Sequence, residues 1–336
     1  MTSLWDTQGI AVVKALSNER RSAGGLASGL ALTLVAVVDE AQVREAEAAA
    51  TIAASAHPCR LLLVVRADVT QQRSRLDAEI VVGGRLGPCE AVVMRMQGRL
   101  ALHAESVVMP LLAPDVPVVT WWQCPAPDKI AYDPLGIVAD RRITDSAQAT
   151  DPVAALLTRA EDYAPGDTDL TWTRVTPWRA LLASAFDAHR ATGGAAVTAA
   201  AITAPPTDPT AALLGGWLTA RLGVTPTHRP GTGKIMQSLT LDFADSSRLE
   251  LIRDLSNGTA LMRRTGQADR TLPMARRPLG EELAEELRRL DADQVYAAAL
   301  AATFGQVGFD DRPRTRVHVW KDPALSEQPE KAGAPR

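Results

Sequence analysis

The first third of the chain is marked by continuous apolar runs, in which polar residues do not alternate with apolar ones. Residues 30–38 and 60–66 are rich in leucine and valine, which is typical of strands buried on both faces. The stretch between them, residues 39–56, is rich in alanine and glutamate and predicts a helix. This strand–helix–strand order predicts a parallel pair of strands joined by a crossover helix.

The rest of the chain alternates shorter helical and strand-like patterns. Apolar residues at helical spacing predict helices over residues 7–18, 100–112, 152–162, 208–222, 281–289 and 293–304. β-Branched or alternating stretches predict strands over residues 77–82, 90–97, 116–122, 195–203, 235–243, 249–254 and 259–264. The dipeptide Asn257-Gly258 separates the last two strands and predicts a hairpin. The predicted class is α/β of the mixed α+β kind, with mixed sheets packed with helices.

A central segment combines tryptophan and arginine at the start of another helix. Thr176 followed by Pro177 is typical of an N-cap with proline at the first helical position. The apolar stripe then continues to residue 190 with Trp178, Leu181, Leu182, Ala185 and Phe186. An alternative is one longer helix that is capped by Thr168 or Asp169 and kinked by Pro177.

The composition shifts to Thr, Asp, Ala and Pro over residues 141–165, which is typical of a linker. We therefore predict an N-terminal α/β domain over residues 1–140 and a C-terminal α/β domain over residues 166–308. The linker would carry the short helix 152–162, capped by Asp151. Residues 309–336 are charged and contain proline, so we expect a mostly flexible tail with a candidate strand at 314–320.

Composition and charge exclude several classes of protein. The chain has 336 residues, 46% hydrophobic and 22% charged, which suffices for two hydrophobic cores. A formal net charge of −3 without a basic block argues against nucleic-acid binding. The N-terminus lacks a signal-peptide pattern, and the longest apolar run is far short of a membrane span. We expect a cytoplasmic protein without membrane contact.

The three cysteines indicate neither a disulfide framework nor a zinc site. Their number is odd and no CxxC spacing occurs. Cys59 lies beside an apolar strand and should be buried, whereas Cys89 and Cys124 lie near strand ends, where exposure is possible.

Motif patterns predict no catalytic residue, no metal site and no cofactor. Residues 231–234, Gly-Thr-Gly-Lys, share part of a phosphate-binding loop, but Ile235 follows the lysine and no helix is predicted next. We therefore interpret this segment as a loop that enters a strand. The five histidines lack metal-binding spacing, and no serine lies in a nucleophile-elbow motif.

Five blocks of sequence occur in a fixed order over roughly residues 5 to 300. They are HPCRLLLVVR (57–66), SVVMPLLAPDVPVVTWW (106–122), RRITDS (141–146), APGDTDLTWTRVTPWRALLASAFD (164–187) and PLGEELAEELRRLDADQVYAAAL (278–300). Together they resemble the glucose-6-phosphate dehydrogenase assembly protein family, also called OpcA. Pro177 departs from the uninterrupted helix that the resemblance implies at that position.

The resemblance implies a non-enzymatic function. Such a protein associates with glucose-6-phosphate dehydrogenase and promotes its active conformation or oligomeric assembly, supporting the oxidative pentose phosphate pathway and NADPH production. The resemblance also implies a thiol switch near the C-terminus in photosynthetic members. This chain has no cysteine after Cys124, so that switch is not carried over.

Tryptophan and arginine dominate binding hot spots in protein interfaces, and they supply the candidate partner contacts. These candidates are Trp121, Trp122, Arg141, Arg142, Trp172, Arg174, Trp178 and Arg179. Trp121 and Trp122 are adjacent on a predicted strand, so their side chains should point to opposite faces. Arg174 is spaced to form a cation–π pair with Trp178. A second interpretation is that the indoles join the two domains and that the arginine pair at 141–142 belongs to an ion-paired linker.

An alternative function is a sugar-phosphate-binding sensor or enzyme of the same pathway. Its pocket would lie between the domains and be lined by Arg141, Arg142 and Arg174, because phosphate esters need such donors. A third possibility is an assembly chaperone that leaves once the oligomer has formed.

Overall fold

The computed structural model describes residues 1–22, 29–83, 89–190, 194–306 and 309. The helices in this part of the chain are α1 (Gly9–Ser22), α2 (Val43–Ala56), α3 (Arg99–Leu102), α4 (Glu105–Val108), α5 (Pro134–Ile137), α6 (Pro152–Asp162), α7 (Leu170–Arg190), α8 (Pro209–Leu222), α9 (Leu279–Leu287) and α10 (Gln294–Thr303). The strands are β1 (Thr2–Leu4), β2 (Leu32–Val38), β3 (Cys59–Arg66), β4 (Arg75–Val82), β5 (Glu90–Gln97), β6 (Val118–Trp122), β7 (Arg141–Thr144), β8 (Asp167–Asp169), β9 (Val197–Ala204), β10 (Thr227–Pro230), β11 (Ser238–Phe243), β12 (Arg248–Asp254), β13 (Thr259–Arg264) and β14 (Arg270–Pro273). They form two sheets packed with helices, so the predicted α/β class is confirmed.

Eight strands form the first sheet in the order β1-β4-β5-β3-β2-β6-β7-β8. Neighbours from β5 to β8 run parallel, whereas β4 and β1 add to one edge in antiparallel fashion. The predicted parallel pair is confirmed, because β2 and β3 lie side by side with α2 between them in the chain. All seven residues of β2 are buried, which explains why its sequence does not alternate.

Helices cover both faces of this sheet. On one face, α1, α3 and α4 pack against the side chains of Val35 and Val37. On the other face, α2 shares the cover with α9, a helix from late in the chain that contributes Leu283 and Leu287. A glycine permits close packing of these two helices, since a Cβ on Gly280 would lie 2.6 Å from the Cβ of Ile52.

The second sheet has six strands in the order β10-β9-β11-β12-β13-β14. Only β10 and β9 pair in parallel among these; the other neighbours are antiparallel. The hairpin predicted at Asn257-Gly258 is confirmed between β12 and β13, with Gly258 at φ +62°, a conformation that glycine adopts without strain. Side chains from α6, α7, α8 and α10 share one apolar core with this sheet.

The segment predicted as a linker contains part of the first sheet. β7 is buried along its whole length and lies between β6 and β8. The helix predicted at 152–162 is confirmed, and Asp151 caps it by accepting a hydrogen bond from the amide of Ala154 at 3.0 Å. A strand of four residues that contains two arginines gives no apolar run, which is why the sequence pattern missed it. Division of the chain into the two predicted domains stays a prediction.

One predicted helix differs from the structure, and one predicted strand lies where the structure cannot test it. The single helix predicted over residues 100–112 is divided into α3, α4 and a 3-10 turn at Met109–Leu111, where Pro110 cannot continue a helix. The candidate strand at 314–320 and the tail after residue 309 lie outside the described residues. None of the described helices has the length and hydropathy that a membrane crossing requires.

Candidate functional site

α7 begins at the carboxyl edge of the first sheet and is one continuous helix from Leu170, with Pro177 inside it. The predicted start at Thr176 is therefore wrong, and the longer alternative is confirmed in its extent, whereas the kink at Pro177 stays a prediction. Asp169 fixes the start, because one carboxylate oxygen accepts from the amide of Thr171 at 2.9 Å. The other oxygen accepts from the amide and the hydroxyl of Ser146. The same buried carboxylate thus caps α7 and ties it to the end of β7.

A buried carboxylate on α9 is the centre of an ion-pair network around α7. Glu286 accepts hydrogen bonds from Arg141 at 2.7 Å, from Thr168 at 3.1 Å and from Thr173 at 2.5 Å. Arg141 and Glu286 are 2% and 6% exposed, so water does not solvate either charge well. Charges buried in this way are retained only when they are paired and hydrogen-bonded.

Arg174 on α7 makes two ion pairs. Its guanidinium donates to Asp145 at 2.5 and 2.9 Å and to Glu282 at 2.6 to 3.1 Å. Burial alone would lower the pKa of Arg174, but the hydrogen bonds and charges of the two carboxylates raise it well above its ordinary value. This guanidinium therefore joins the segment after β7 to α9.

Arg142 is the most deeply buried of the candidate arginines. It pairs with Asp167 and donates to the carbonyl oxygens of Ala139 at 3.1 Å and Pro165 at 2.8 Å. Its side chain is fully buried, so it holds β7 and β8 together from inside the protein. Together the residues Arg141, Arg142, Asp145, Asp167, Arg174, Glu282 and Glu286 form what we call the ion-pair seam.

Trp172 and Arg179 lie on the other side of α7, at an open groove. The indole N–H of Trp172 donates to Asp293 at 2.9 Å, and the Arg179 guanidinium stacks 3.5 Å from the centre of the Trp172 ring. Burial lowers the pKa of Arg179 to about 10, so it remains charged at neutral pH. Trp217 and two exposed arginines, Arg288 and Arg289, complete a cavity of about 480 Å³, which we call the tryptophan–arginine groove.

Residues 50–161 match the family described as glucose-6-phosphate dehydrogenase subunit N-terminal domain, and residues 165–300 match the corresponding C-terminal domain. The chain belongs to the OpcA family of glucose-6-phosphate dehydrogenase assembly proteins. The family assignment that the five sequence blocks predicted is thereby confirmed.

Two curated relatives carry the name OxPP cycle protein OpcA. The protein from Synechococcus elongatus is 33% identical over 144 residues, which are 41% of this chain and 32% of the relative. The protein from Synechocystis sp. is 28% identical over 199 residues, which are 55% of this chain and 42% of the relative. The chain thus matches less than half the length of either relative. A solved oxidoreductase from Sinorhizobium meliloti aligns over 81% of this chain and 86% of its own at 12% identity, with a TM-score of 0.43, too low to support an argument.

The ion-pair seam connects the two OpcA regions. Arg141, Arg142 and Asp145 fall within the N-terminal match, and their partners Glu286, Asp167 and Arg174 fall within the C-terminal match. The sequence singled out the arginines but not Glu282 or Glu286. Those two glutamates alternate with leucines in an amphipathic helix, a pattern that is typical of solvated positions.

Most of the candidate contact residues are buried in this structure, and their role in partner binding stays a prediction. Trp121, Trp122, Arg141, Arg142, Trp172 and Trp178 are each at most 2% exposed, so their side chains present little surface to a partner in this conformation. Trp121 and Trp122 do point to opposite faces, but helices cover both faces, so both are core residues. Arg174 does not form the predicted cation–π pair with Trp178. The Arg179 guanidinium stacks on Trp172 instead, and the Arg253 guanidinium lies 5.5 Å from the Trp178 ring. Arg174 and Arg179 are only partly buried.

The cysteines are placed inside the N-terminal OpcA region. Cys59 is buried as predicted, and Cys89 is buried as well, contrary to its possible exposure near a strand end. Cys124 is partly buried, and burial raises its pKa to about 11, which disfavours a reactive thiolate. Among the described residues, no group of three His, Cys, Asp or Glu side chains is arranged to hold a metal ion.

The carboxyl group of Asp162, at the end of α6, should make the free energy of unfolding depend on pH. Burial and the nearby charge of Asp167 raise its pKa to about 6, above the ordinary value in the unfolded chain. The native state therefore binds the extra proton between about pH 4 and 6, and this group opposes folding above that range. We expect Asp162→Asn to raise the free energy of unfolding at pH 7.5 by about 1 kcal/mol after allowance for its partial exposure.

Urea unfolding of the wild type and of Asp162→Asn at pH 7.5 and pH 4.5 measures this effect. The stability advantage of the variant should shrink toward zero at pH 4.5, because the wild-type carboxyl is then protonated in the native state. An advantage of the same size at both pH values would show that lost charge is not its cause.

Proposed function

We propose that this chain is a non-catalytic accessory protein that binds glucose-6-phosphate dehydrogenase and promotes its active conformation or oligomeric assembly. The proposal rests on one observation, the match of two successive regions to the two domains of the glucose-6-phosphate dehydrogenase subunit family. The names of the relatives support a role in the oxidative pentose phosphate pathway. The protein would act in the cytoplasm and increase NADPH production.

Activation of this kind is differential binding. The accessory protein must bind the active conformation or oligomer of the enzyme more tightly than the inactive one. A difference of about 1.4 kcal/mol shifts that equilibrium tenfold. By the same linkage, any substrate that favours the active state tightens the complex, and the accessory protein needs no catalytic residue of its own.

The tryptophan–arginine groove is the surface that we propose for contact with the enzyme. It retains the predicted residue types in a position that a partner can reach, with Arg179 and Trp217 in the groove and Arg288 and Arg289 exposed on its rim. Indole and guanidinium groups that become desolvated at the centre of an interface contribute most of its binding energy. The tryptophans of the first sheet are already buried, so a partner cannot desolvate them further.

Titration of the same organism's glucose-6-phosphate dehydrogenase with this protein tests the proposal. We expect a saturable rise in dehydrogenase activity that is largest at low glucose 6-phosphate. The double variant Arg288→Glu/Arg289→Glu should need at least tenfold more protein for half-maximal activation, because it reverses two exposed charges at the groove.

Arg263→Glu is the matched control, since Arg263 is an exposed arginine on β13 in the second sheet. No activation at any ratio by the wild-type protein would overturn the accessory role. Activation that the groove variant supports as well as the control would leave that role intact and move the contact surface elsewhere. Persistence of the complex on a sizing column distinguishes a subunit from a chaperone that departs.

The alternative, a sugar-phosphate-binding sensor or enzyme, requires cations that are free to bind a phosphate. The three arginines predicted for that pocket are engaged with the carboxylates of the ion-pair seam. A ligand at those arginines would have to displace buried carboxylates, at a cost of several kcal/mol. A phosphate site in this protein must therefore use other residues.

A further inference from the structure

A second cavity of about 480 Å³ lies on the side of α7 that carries Arg174. Its walls are the start of α8, the loop at 234–235, residues 275–277 and the segment after β7. Five cationic side chains line it, against two carboxylates. The cations are Arg174, Lys234, Arg253, Arg276 and Arg277, and the carboxylates are Asp208 and Glu282. We call this cavity the basic cleft.

Both carboxylates of the basic cleft already have partners. Asp208 is the N-cap of α8, and its two oxygens accept from the backbone amides of Thr210 and Met236. Glu282 accepts from Arg174 through both of its oxygens. Neither group is therefore available to neutralise the remaining cations through a close contact.

Three cations of the cleft form no close ion pair with any carboxylate of the described residues. Within the described part of the chain, no carboxylate lies within ion-pair distance of Lys234, Arg253 or Arg276. Arg277 has only a long contact of 3.7 Å to Glu285. Like charges gathered around a cavity repel one another, and an anion between them would remove that repulsion.

Arg253 is held at the wall of the cleft in a partly dehydrated state. Its Nε is buried without a hydrogen-bond partner, and its guanidinium faces the ring of Trp178 at 5.5 Å. Burial lowers the pKa of Arg253, and the positive charge of Arg276 lowers it further, whereas Asp208 raises it. A donor that is half-buried and unpartnered gains more from a bound anion than a donor in open water.

The backbone around Lys234 is held in place next to the cleft. The Gln237 side chain donates to the carbonyl oxygen of Thr232, and the amide of Met236 donates to Asp208. The backbone conformation before Lys234 requires glycine at position 231, because a Cβ there would lie 2.5 Å from the Gln237 amide oxygen and 3.0 Å from the backbone of Ala204. The N-terminal turn of α8 also lines the cleft and adds the positive end of a helix dipole.

We propose that the basic cleft binds a small phosphorylated molecule, whose dianionic phosphoryl group is held by Lys234, Arg253 and Arg276. Three cations that line one cavity favour a dianion over a monocarboxylate. The cleft has a volume of about 480 Å³, which is larger than inorganic phosphate occupies and can hold a phosphate ester with a small polar group. This site does not depend on the accessory role proposed above.

Isothermal titration calorimetry of the full chain tests this site. The probes are inorganic phosphate, glucose 6-phosphate, ribose 5-phosphate and unphosphorylated glucose. We expect at least one phosphate ester to bind ten times more tightly than glucose and more tightly than inorganic phosphate. Since the binding is electrostatic in origin, it should weaken as salt rises.

The double variant Lys234→Gln/Arg276→Gln removes two exposed charges of the cleft, and Arg263→Gln removes one exposed charge elsewhere. The first should weaken ester binding at least tenfold with an unchanged melting temperature, and the second should leave binding unchanged. Equal binding of esters and glucose, or full binding by the double variant, would overturn the proposal. Binding of a polyglutamate peptide without binding of any ester would overturn it too, and would assign the cleft to an acidic protein segment. None of these outcomes depends on whether the dehydrogenase is activated.

Discussion

Glu286→Ala is expected to lower the free energy of unfolding by roughly 3–5 kcal/mol. The substitution removes the carboxylate that accepts from Arg141, Thr168 and Thr173. Arg141 then keeps one hydrogen bond, to the carbonyl oxygen of Asp291 at 2.8 Å, while its Nε already lacks a partner. An unpaired guanidinium that is 2% exposed must be hydrated by local opening or remain buried at a high cost.

Glu285→Ala is the matched control, because Glu285 is the adjacent residue of α9 and makes only partly exposed ion pairs with Arg288 and Arg277. Its loss should cost under about 1 kcal/mol. Urea unfolding followed by circular dichroism measures both variants. A joint change of Arg141→Met and Glu286→Leu should recover most of the stability, because it removes both buried charges. Equal costs for the two alanine variants would contradict the stabilising role of the ion-pair seam.

Gly216→Ala is expected to cost roughly 3 kcal/mol, the upper end of the usual cost of overpacking. Gly216 lies where α8 meets α10, and a Cβ there would be 2.1 Å from the Thr303 hydroxyl oxygen and 2.2 Å from the carbonyl oxygen of Ala299. The Ala299 carbonyl oxygen and the Thr303 amide nitrogen, 2.7 Å away, belong to the backbone of α10, so the two helices must separate. That separation opens the apolar core of the second sheet.

Gly215→Ala provides the control in the same turn of the same helix. A Cβ at Gly215 would meet the Pro226 ring at 3.2 Å and the His228 ring at 3.4 Å, close side-chain contacts that a shift of a few tenths of an ångström relieves. Alanine is also favoured over glycine inside a helix by about 1 kcal/mol, so this variant should be neutral or more stable. The melting temperatures of the two variants test this prediction. If Gly215→Ala lowered the melting temperature as much as Gly216→Ala, the packing argument would be refuted.

The sequence alone predicted the central strands and the crossover helix of the first sheet, since strands covered on both faces leave long apolar runs. It did not predict β7, because two of its four residues are arginines whose charges are neutralised by residues far along the chain. Long-range ion pairs leave no local periodicity. A buried strand with arginine side chains therefore has the composition of a linker.

Only part of the candidate site was predicted, again because contacts between distant residues leave no local pattern in the sequence. The sequence placed Arg141, Arg142 and Arg174 in one candidate pocket. The α9 carboxylates that pair with Arg141 and Arg174 are more than a hundred residues away from them in the chain. The three cations proposed to hold the phosphoryl group come from three separate segments, around residues 234, 253 and 276, with no common motif. Only the folded chain brings these groups together.

The position of α9 on the first sheet has a consequence for synthesis on the ribosome. β3 ends at Arg66, but the helix that completes the cover of its face is made only at Leu279–Leu287. At about 5–20 residues per second, the interval is on the order of ten to forty seconds. During that time α2 alone covers part of an apolar surface, so the nascent chain exposes a sheet face rich in leucine and valine. We therefore expect a truncated product that ends before α9 to expose this face and to aggregate.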